Sequence, residues 1–176
     1  KFFFNFPFQE FATCENIDSI FKNHSVDKND LDILTVDIDS YDYYIIKKIL
    51  QHGYRPKLFI VEYNPSFSLE KKCSFPLEIG TEFKNRRIYG ASYSALNSLL
   101  DKDDYKLCFV SGFCNLFYIR QDFSDKFASP KIEDEITDTN DKVNDYINKY
   151  CQEGFIPTWI DDPIPSEEDL SKLDYF

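Results

Sequence analysis

Apolar and polar residues follow two different patterns along this chain, which predict buried strands separated by amphipathic helices. Short apolar runs rich in β-branched or aromatic residues are typical of buried strands. Apolar residues that recur every three or four positions are typical of helices, and a following glycine such as Gly53 marks a helix end. These rules predict strands at 1–8, 33–38, 57–63 and 105–121, the last a hairpin around Gly112, and helices at 13–24, 41–52 and 92–104.

This order of elements predicts an α/β fold with a Rossmann-like, mostly parallel sheet, helices on both of its faces and a C-terminal antiparallel β-hairpin. We expect residues 1–123 to form that domain. Residues 124–176 are acidic and interrupted by prolines, and we expect them to pack on the domain as a helical tail. The apolar residues expected to make that contact are Phe155, Ile156, Trp159 and Ile160.

Composition narrows the functional classes. The 176 residues are 43% hydrophobic, which suits one domain with a real core, and the net charge of −11 argues against nucleic acid or an anionic membrane as a partner. No apolar run approaches the roughly 18 residues of a membrane span. Five cysteines without a C-x-x-C motif argue against zinc and favour a reduced, cytoplasmic protein.

The chain begins at Lys1 and contains no methionine, so we expect further sequence upstream of it. The strand at 1–8 would then have lost its neighbours. An exposed sheet edge is a place where copies of a chain associate, so a homo-oligomer formed through this edge is an expectation.

Acidic and amide side chains follow two of the predicted strands. Asp37 and Asp39 come at the end of the strand at 33–38, and Glu62 and Asn64 at the end of the strand at 57–63. Ligands of α/β sheets bind outside the carboxyl ends of the strands. If these two strands are neighbours, their acidic groups meet at one edge of the sheet, where such a fold carries out its chemistry.

Three roles are open for these acidic residues. Carboxylates with an amide oxygen form a hard-cation site suited to Mg²⁺, Mn²⁺ or Ca²⁺. A carboxylate crowded by others can also act as a general base, with Asp37 the first choice and Glu62 the second. Alternatively, Asp39 and Asp42 cap the helix that begins near Tyr41. The full set of candidate metal ligands is Asp37, Asp39, Asp42, Glu62 and Asn64.

Several motifs in order resemble one protein family. These are ENIDSIF at 15–21, DIDSYDY at 37–43, EYN at 62–64, YGASYSAL at 89–96 and the closing hairpin. Together they resemble the FkbM-like and related class I S-adenosylmethionine-dependent methyltransferases over roughly residues 10 to 123. Ser40 stands where that family usually has glycine. The family's Gly-rich cofactor loop has no counterpart here, because the five glycines form no G-x-G.

The resemblance implies the C-terminal part of a methyltransferase-like domain that uses S-adenosylmethionine. The expected reaction is O-methylation of a hydroxyl on a sugar, a glycan or another small metabolite, in some cases with Mg²⁺ or another divalent cation. The cofactor-binding residues stay unassigned. The residues expected to line the substrate pocket are Tyr41, Tyr63, Tyr89 and Ser92.

Two rival functions remain open. A methyltransferase-like scaffold without activity would serve as an interaction subunit, and the loss of the Gly-rich loop would favour it. A cation-dependent hydrolase or transferase would use the same acidic groups on another substrate, and it predicts metal binding without any binding of S-adenosylmethionine.

Overall fold

The computed structural model describes residues 9–77, 87–111, 114–130 and 165–176. In chain order, its elements are α1 (Ile17–Asn23), β1 (Ile33–Val36), α2 (Asp42–Gln51), β2 (Leu58–Glu62), β3 (Cys73–Ser74), α3 (Tyr93–Asp101), β4 (Tyr105–Ser111), β5 (Asn115–Arg120), a 3₁₀ helix (Gln121–Lys126), α4 (Glu167–Leu170) and β6 (Asp174–Tyr175).

Four of the strands form one mixed sheet in the order β1-β2-β5-β4. Strands β1 and β2 are parallel, whereas β5 is antiparallel to both β2 and β4. It follows that β1, β2 and β4 run in one direction and β5 runs in the other. The α/β class and the antiparallel hairpin are therefore confirmed, but the described sheet has one parallel pairing and two antiparallel ones. The short β4–β5 connection allows only antiparallel pairing of those two strands.

The parallel pair is built by the crossover through α2. The helix begins after Tyr41 and ends before Gly53, whose φ of +84° suits the reversal at a helix end. Its apolar face, which includes Ile46 and Ile49, is buried. Strands β1 and β2 pair with Val36 opposite Val61, so that both strands reach the same edge of the sheet one residue later.

The main apolar core lies on one face of the sheet. Alternate residues of β2 and β5 contribute Phe59, Val61, Leu116 and Tyr118, and helices α1, α2 and α3 complete the cluster. Tyr105 of β4 is also buried there, and its hydroxyl donates to the carbonyl of Pro56 at 2.7 Å. Helices on the second face remain a prediction.

A second, smaller apolar cluster involves the residues of the predicted tail that the structure describes. Strand β6 pairs with β3, and Leu170 and Leu173 are buried against Phe67, Cys73 and Ile88. The predicted strand at 1–8, the turn at Gly112 and the tail contacts at 155–160 lie outside the described residues. The domain boundary after residue 123 remains a prediction.

The edge of the sheet at β1 bears on the predicted homo-oligomer. Strand β1 has β2 as its single described neighbour, and association through an exposed edge remains a prediction.

Among the helices that the structure describes, none is long and apolar enough to cross a membrane.

The two faces of the sheet give a matched pair of stability variants. Phe59 is 0% exposed and packs edge-to-face on Tyr105, with ring centroids 5.0 Å apart. We expect Phe59→Ala to lower the free energy of unfolding by about 3–5 kcal/mol, because it leaves a cavity in the core.

Phe109 is 57% exposed on β4 and serves as the control. We expect Phe109→Ala to cost about 1 kcal/mol or less, since a largely exposed ring loses little buried area. Urea denaturation of both variants measures the difference. If both variants lose the same free energy of unfolding, the main core does not lie on the Phe59 face of the sheet.

Candidate functional site

Three carboxyl groups meet at the carboxyl ends of the two parallel strands. Asp37 and Asp39 follow β1, and Glu62 is the last residue of β2. One oxygen from each of the three groups lies within 4.8 Å of the others. Asp37 and Asp39 are exposed and Glu62 is half-buried. We call these three residues the acidic rim.

Asp42 lies beneath the rim and is 1% exposed. One of its oxygens accepts the backbone N–H of Ile38 at 2.9 Å and the other accepts that of Ser40 at 3.0 Å. It was predicted as a metal ligand or a helix cap, but its described hydrogen bonds go to the turn before α2. Tyr41 occupies the N-cap position of α2 without a side-chain capping bond. Asp42 therefore stabilises the turn, and we leave it out of the candidate ligands.

The turn itself contains a left-handed residue, Asp39, whose φ is +57°. Aspartate enters this region more readily than most residues because its short polar side chain bonds locally. Ser40 stands where the family that the chain resembles usually has glycine, yet the φ angle of Ser40 is not positive. The replacement of glycine by serine therefore causes no left-handed strain at position 40.

Asn64 is 0% exposed and is also bonded to backbone groups. Its side-chain nitrogen donates to the carbonyls of Arg87 at 2.7 Å and Tyr89 at 2.9 Å. Its side-chain oxygen accepts the N–H of Ser66 at 2.8 Å. The amide predicted as a metal ligand instead fixes residues 87–89 beside the end of β2, so we leave it out of the rim.

The four predicted substrate residues separate into two groups. Ser92 is fully buried, caps α3 by accepting the N–H of Ala95 at 3.2 Å, and accepts the N–H of Cys73 at 3.0 Å. Tyr63 is 2% exposed. Neither offers surface to a substrate. Tyr41 and Tyr89 are half-buried and stay as candidates, since a ligand at the rim can reach partly exposed rings.

Tyr89 is close enough to the rim to interact with its charges. Burial raises the pKa of its hydroxyl far above the usual value, and the negative charges of Glu62, Cys114 and Asp39 add to the rise. The hydroxyl therefore stays protonated at neutral pH.

The sequence analysis did not place Cys114 at this site. The structure places its half-buried thiol in a hydrogen bond with Glu62, directly before β5, the strand that pairs with β2. Burial and the charge of Glu62 raise the pKa of this thiol to about 12, so it stays protonated. Only the pairing of β5 with β2 reveals this neighbour, and the local pattern around Cys114 carries no sign of it.

The carboxyl group of Glu62 has a raised pKa. Burial is the largest cause of a pKa raised to about 8, and the charges of Asp37 and Asp39 are the next. A hydrogen bond with the Cys114 thiol opposes the rise in part. At neutral pH the Glu62 carboxyl therefore holds a proton when no cation is bound.

The rim combines a proton donor or acceptor with a concentration of negative charge. Within the described part of the chain, no lysine, arginine or histidine forms an ion pair with Asp37, Asp39 or Glu62. Oxygen ligands of this kind suit a hard cation, and Glu62, with its raised pKa, suits proton transfer near neutral pH.

Comparison of the chain with models of protein families, with curated proteins and with solved structures found no match in any of the three.

The raised pKa of Glu62 makes a prediction about stability. The unfolded carboxyl titrates near 4.5 and the folded one near 8, so the folded state binds more protons between these values. Stability is therefore lost as pH rises through this window. We expect Glu62→Gln to leave the melting temperature almost unchanged at pH 5 and to raise it on the order of 5 °C at pH 9.

Calorimetric melting at both pH values measures this difference. Glu70→Gln, at an exposed glutamate, is the matched control and should show no pH-dependent offset from wild type. If Glu62→Gln shows the same small offset at pH 5 and pH 9, the pKa of Glu62 is not raised.

Proposed function

We propose that this chain forms the acceptor side of a class I S-adenosylmethionine-dependent O-methyltransferase, acting on a hydroxyl of a sugar, a glycan or a small metabolite. One observation carries the proposal. Asp37, Asp39 and Glu62 converge at the carboxyl ends of two neighbouring parallel strands, which is where α/β folds bind ligands. The acceptor class rests on the family resemblance.

The arrangement of the strands supports the same reading. The resemblance implies the last four strands of a methyltransferase sheet, closed by an antiparallel hairpin. The described sheet has four strands, and β5, the last of them in the chain, runs opposite to the other three and is inserted between β2 and β4.

The chemistry asks for a group that takes the proton of the acceptor hydroxyl. General-base catalysis is most efficient when the pKa of the base lies near the working pH. Glu62, one of the two predicted bases, meets this requirement because its pKa is about 8. In the proposed reaction the deprotonated fraction of Glu62, which increases as the pH rises toward its pKa, takes the hydroxyl proton, and the rim orients the oxygen.

A divalent cation is the second way to prepare the hydroxyl. Asp37, Asp39 and Glu62 would hold it, and their oxygens lie within 4.8 Å of one another. Two oxygens on one Ca²⁺ are at most about 5 Å apart and on one Mg²⁺ about 4 Å, so the rim suits Ca²⁺ as it stands and Mg²⁺ after a small contraction. A bound cation would lower the pKa of a coordinated hydroxyl.

The cofactor has no assigned residues in this chain. The five glycines form no G-x-G, so the chain lacks the Gly-rich loop that holds S-adenosylmethionine in the family it resembles. The proposal therefore takes the cofactor site from other parts of the full-length protein. The same observation favours the second candidate, a scaffold without activity, and binding of the cofactor product separates the two.

Isothermal titration calorimetry of S-adenosylhomocysteine into the full-length protein, with and without Mg²⁺, is the first test. We expect a dissociation constant in the micromolar range. The absence of binding under both conditions would favour the scaffold. Heat from Mg²⁺ alone, without any from S-adenosylhomocysteine, would favour the cation-dependent hydrolase.

Substitutions in the rim test the assigned chemistry. We expect Asp37→Asn and Glu62→Gln each to lower methyl transfer from radiolabelled S-adenosylmethionine to a mixture of oligosaccharides and polyols by about 100-fold or more, the size of a lost general base. Circular dichroism should show an unchanged fold. Asp30→Asn, at an exposed aspartate outside the rim, is the control. Full turnover by both rim variants would make the acidic groups structural.

A further inference from the structure

Asp42 is the one carboxyl-bearing residue among the buried residues of the described chain. A buried carboxylate is unfavourable unless hydrogen bonds compensate for the lost water. Here the compensation comes from two backbone N–H groups, those of Ile38 and Ser40. Asp42 has no described ion pair, and its own backbone N–H is the other backbone donor that acts on its carboxylate.

The two N–H groups belong to the residues on either side of Asp39. For one carboxylate to accept both of them, the chain must fold back over Asp39. This is the residue with the left-handed φ of +57°. The Asp42 carboxylate therefore holds the turn in a conformation that a non-glycine residue seldom adopts without support.

This turn carries two of the three acidic groups of the rim. Asp37 directly precedes Ile38, and Asp39 lies at the centre of the turn, while Glu62 comes from the neighbouring strand. The spacing between the first two carboxylates and the third is therefore set by how the turn is held. Asp42 itself is anchored, because it begins α2 and its neighbours Tyr43 and Tyr44 are buried.

The two hydrogen bonds of Asp42 depend on the length of its side chain as well as on its charge. A side chain one methylene longer at position 42 keeps the charge but moves the carboxylate oxygens away from the positions in which they accept the N–H groups of Ile38 and Ser40. A Cβ atom added to Gly90 would be in ordinary van der Waals contact with Asp42, 3.7 Å from one carboxylate oxygen.

We propose that Asp42 is a positioning residue for the acidic rim. Its carboxylate sets the distance of Asp37 and Asp39 from Glu62 without facing the ligand. The inference rests on the proposed function for what the rim binds, whereas the geometry it assigns to Asp42 is testable separately.

The experiment compares full-length wild type with Asp42→Asn, Asp42→Glu and the control Asp30→Asn. Asn keeps the size of the side chain but has a single acceptor oxygen, whereas Glu keeps the charge but is longer. The first measurement is amide hydrogen exchange, resolved for Ile38 and Ser40 by NMR. The second is the affinity for Mn²⁺ added alone, followed by electron paramagnetic resonance.

We expect both Asp42 variants to exchange the Ile38 and Ser40 amides at least tenfold faster, with the amides in the middle of α2 and β2 unchanged. We also expect the dissociation constant for Mn²⁺ to rise at least tenfold in both. The Asp30→Asn control should change neither. A purely structural role would accelerate exchange throughout the chain and would not single out the turn.

Three results overturn the proposal. The first is unchanged exchange at Ile38 and Ser40 in both variants. The second is faster exchange with wild-type Mn²⁺ affinity. The third is a loss of affinity in Asp42→Asn but not in Asp42→Glu, which would make charge the cause. If both variants fail to fold, Asp42→Ser, which keeps one acceptor oxygen, replaces them.

If wild type binds no Mn²⁺, the cation part of the proposed function fails, and the crystal structure of Asp42→Asn decides the positioning role by itself. Separation of the three rim carboxylates and loss of the positive φ at Asp39 would support it. Retention of both features would overturn it.

Discussion

The parallel pairing of β1 with β2 is the constraint on which the rest of this structure depends. Val36 lies opposite Val61, so both strands leave the sheet at the same level. A shift of one residue in this register would turn Glu62 to the opposite face, because side chains alternate along a strand. The buried side chains of Phe59 and Val61 resist such a shift, since it would expose them to water. Hydrophobic burial within the sheet thereby sets the geometry of an exposed polar site.

Two buried polar side chains hold the backbone segments that lie at the rim. Asp42 holds the turn after β1, and Asn64 holds residues 87–89 next to the end of β2. Each uses its side-chain polar atoms on backbone groups, so neither is left to face a ligand. The acidic groups at the rim are Asp37, Asp39 and Glu62, and the partly exposed ring of Tyr89 lies near them. These buried hydrogen bonds explain how loop residues stay ordered at the carboxyl ends of the strands.

Sequence patterns were sufficient for the main helices and for the four strands of the larger sheet, and for the convergence of the acidic residues after two of those strands. The 3.6-residue periodicity predicted α2 and α3, and the acidic residues after two apolar runs predicted where the rim would be. The roles of individual residues required contacts between distant parts of the chain. Asp42 and Asn64 belong to the same acidic and amide motifs as the rim residues, and only burial distinguishes them. Cys114 reaches Glu62 through the pairing of β5 with β2, which joins residues more than 50 positions apart in the chain.

The pairing of β6 with β3 has a consequence for the order of folding. It joins residues about 100 positions apart, Cys73 with Tyr175 and Ser74 with Asp174. Contacts over such long stretches of chain form late, because loop closure costs conformational entropy before any contact compensates for it. The Ser74 hydroxyl also donates to the carbonyl of Gly90, the residue next to Tyr89. During synthesis, residues 174–175 must therefore leave the ribosome before β3 can pair with β6.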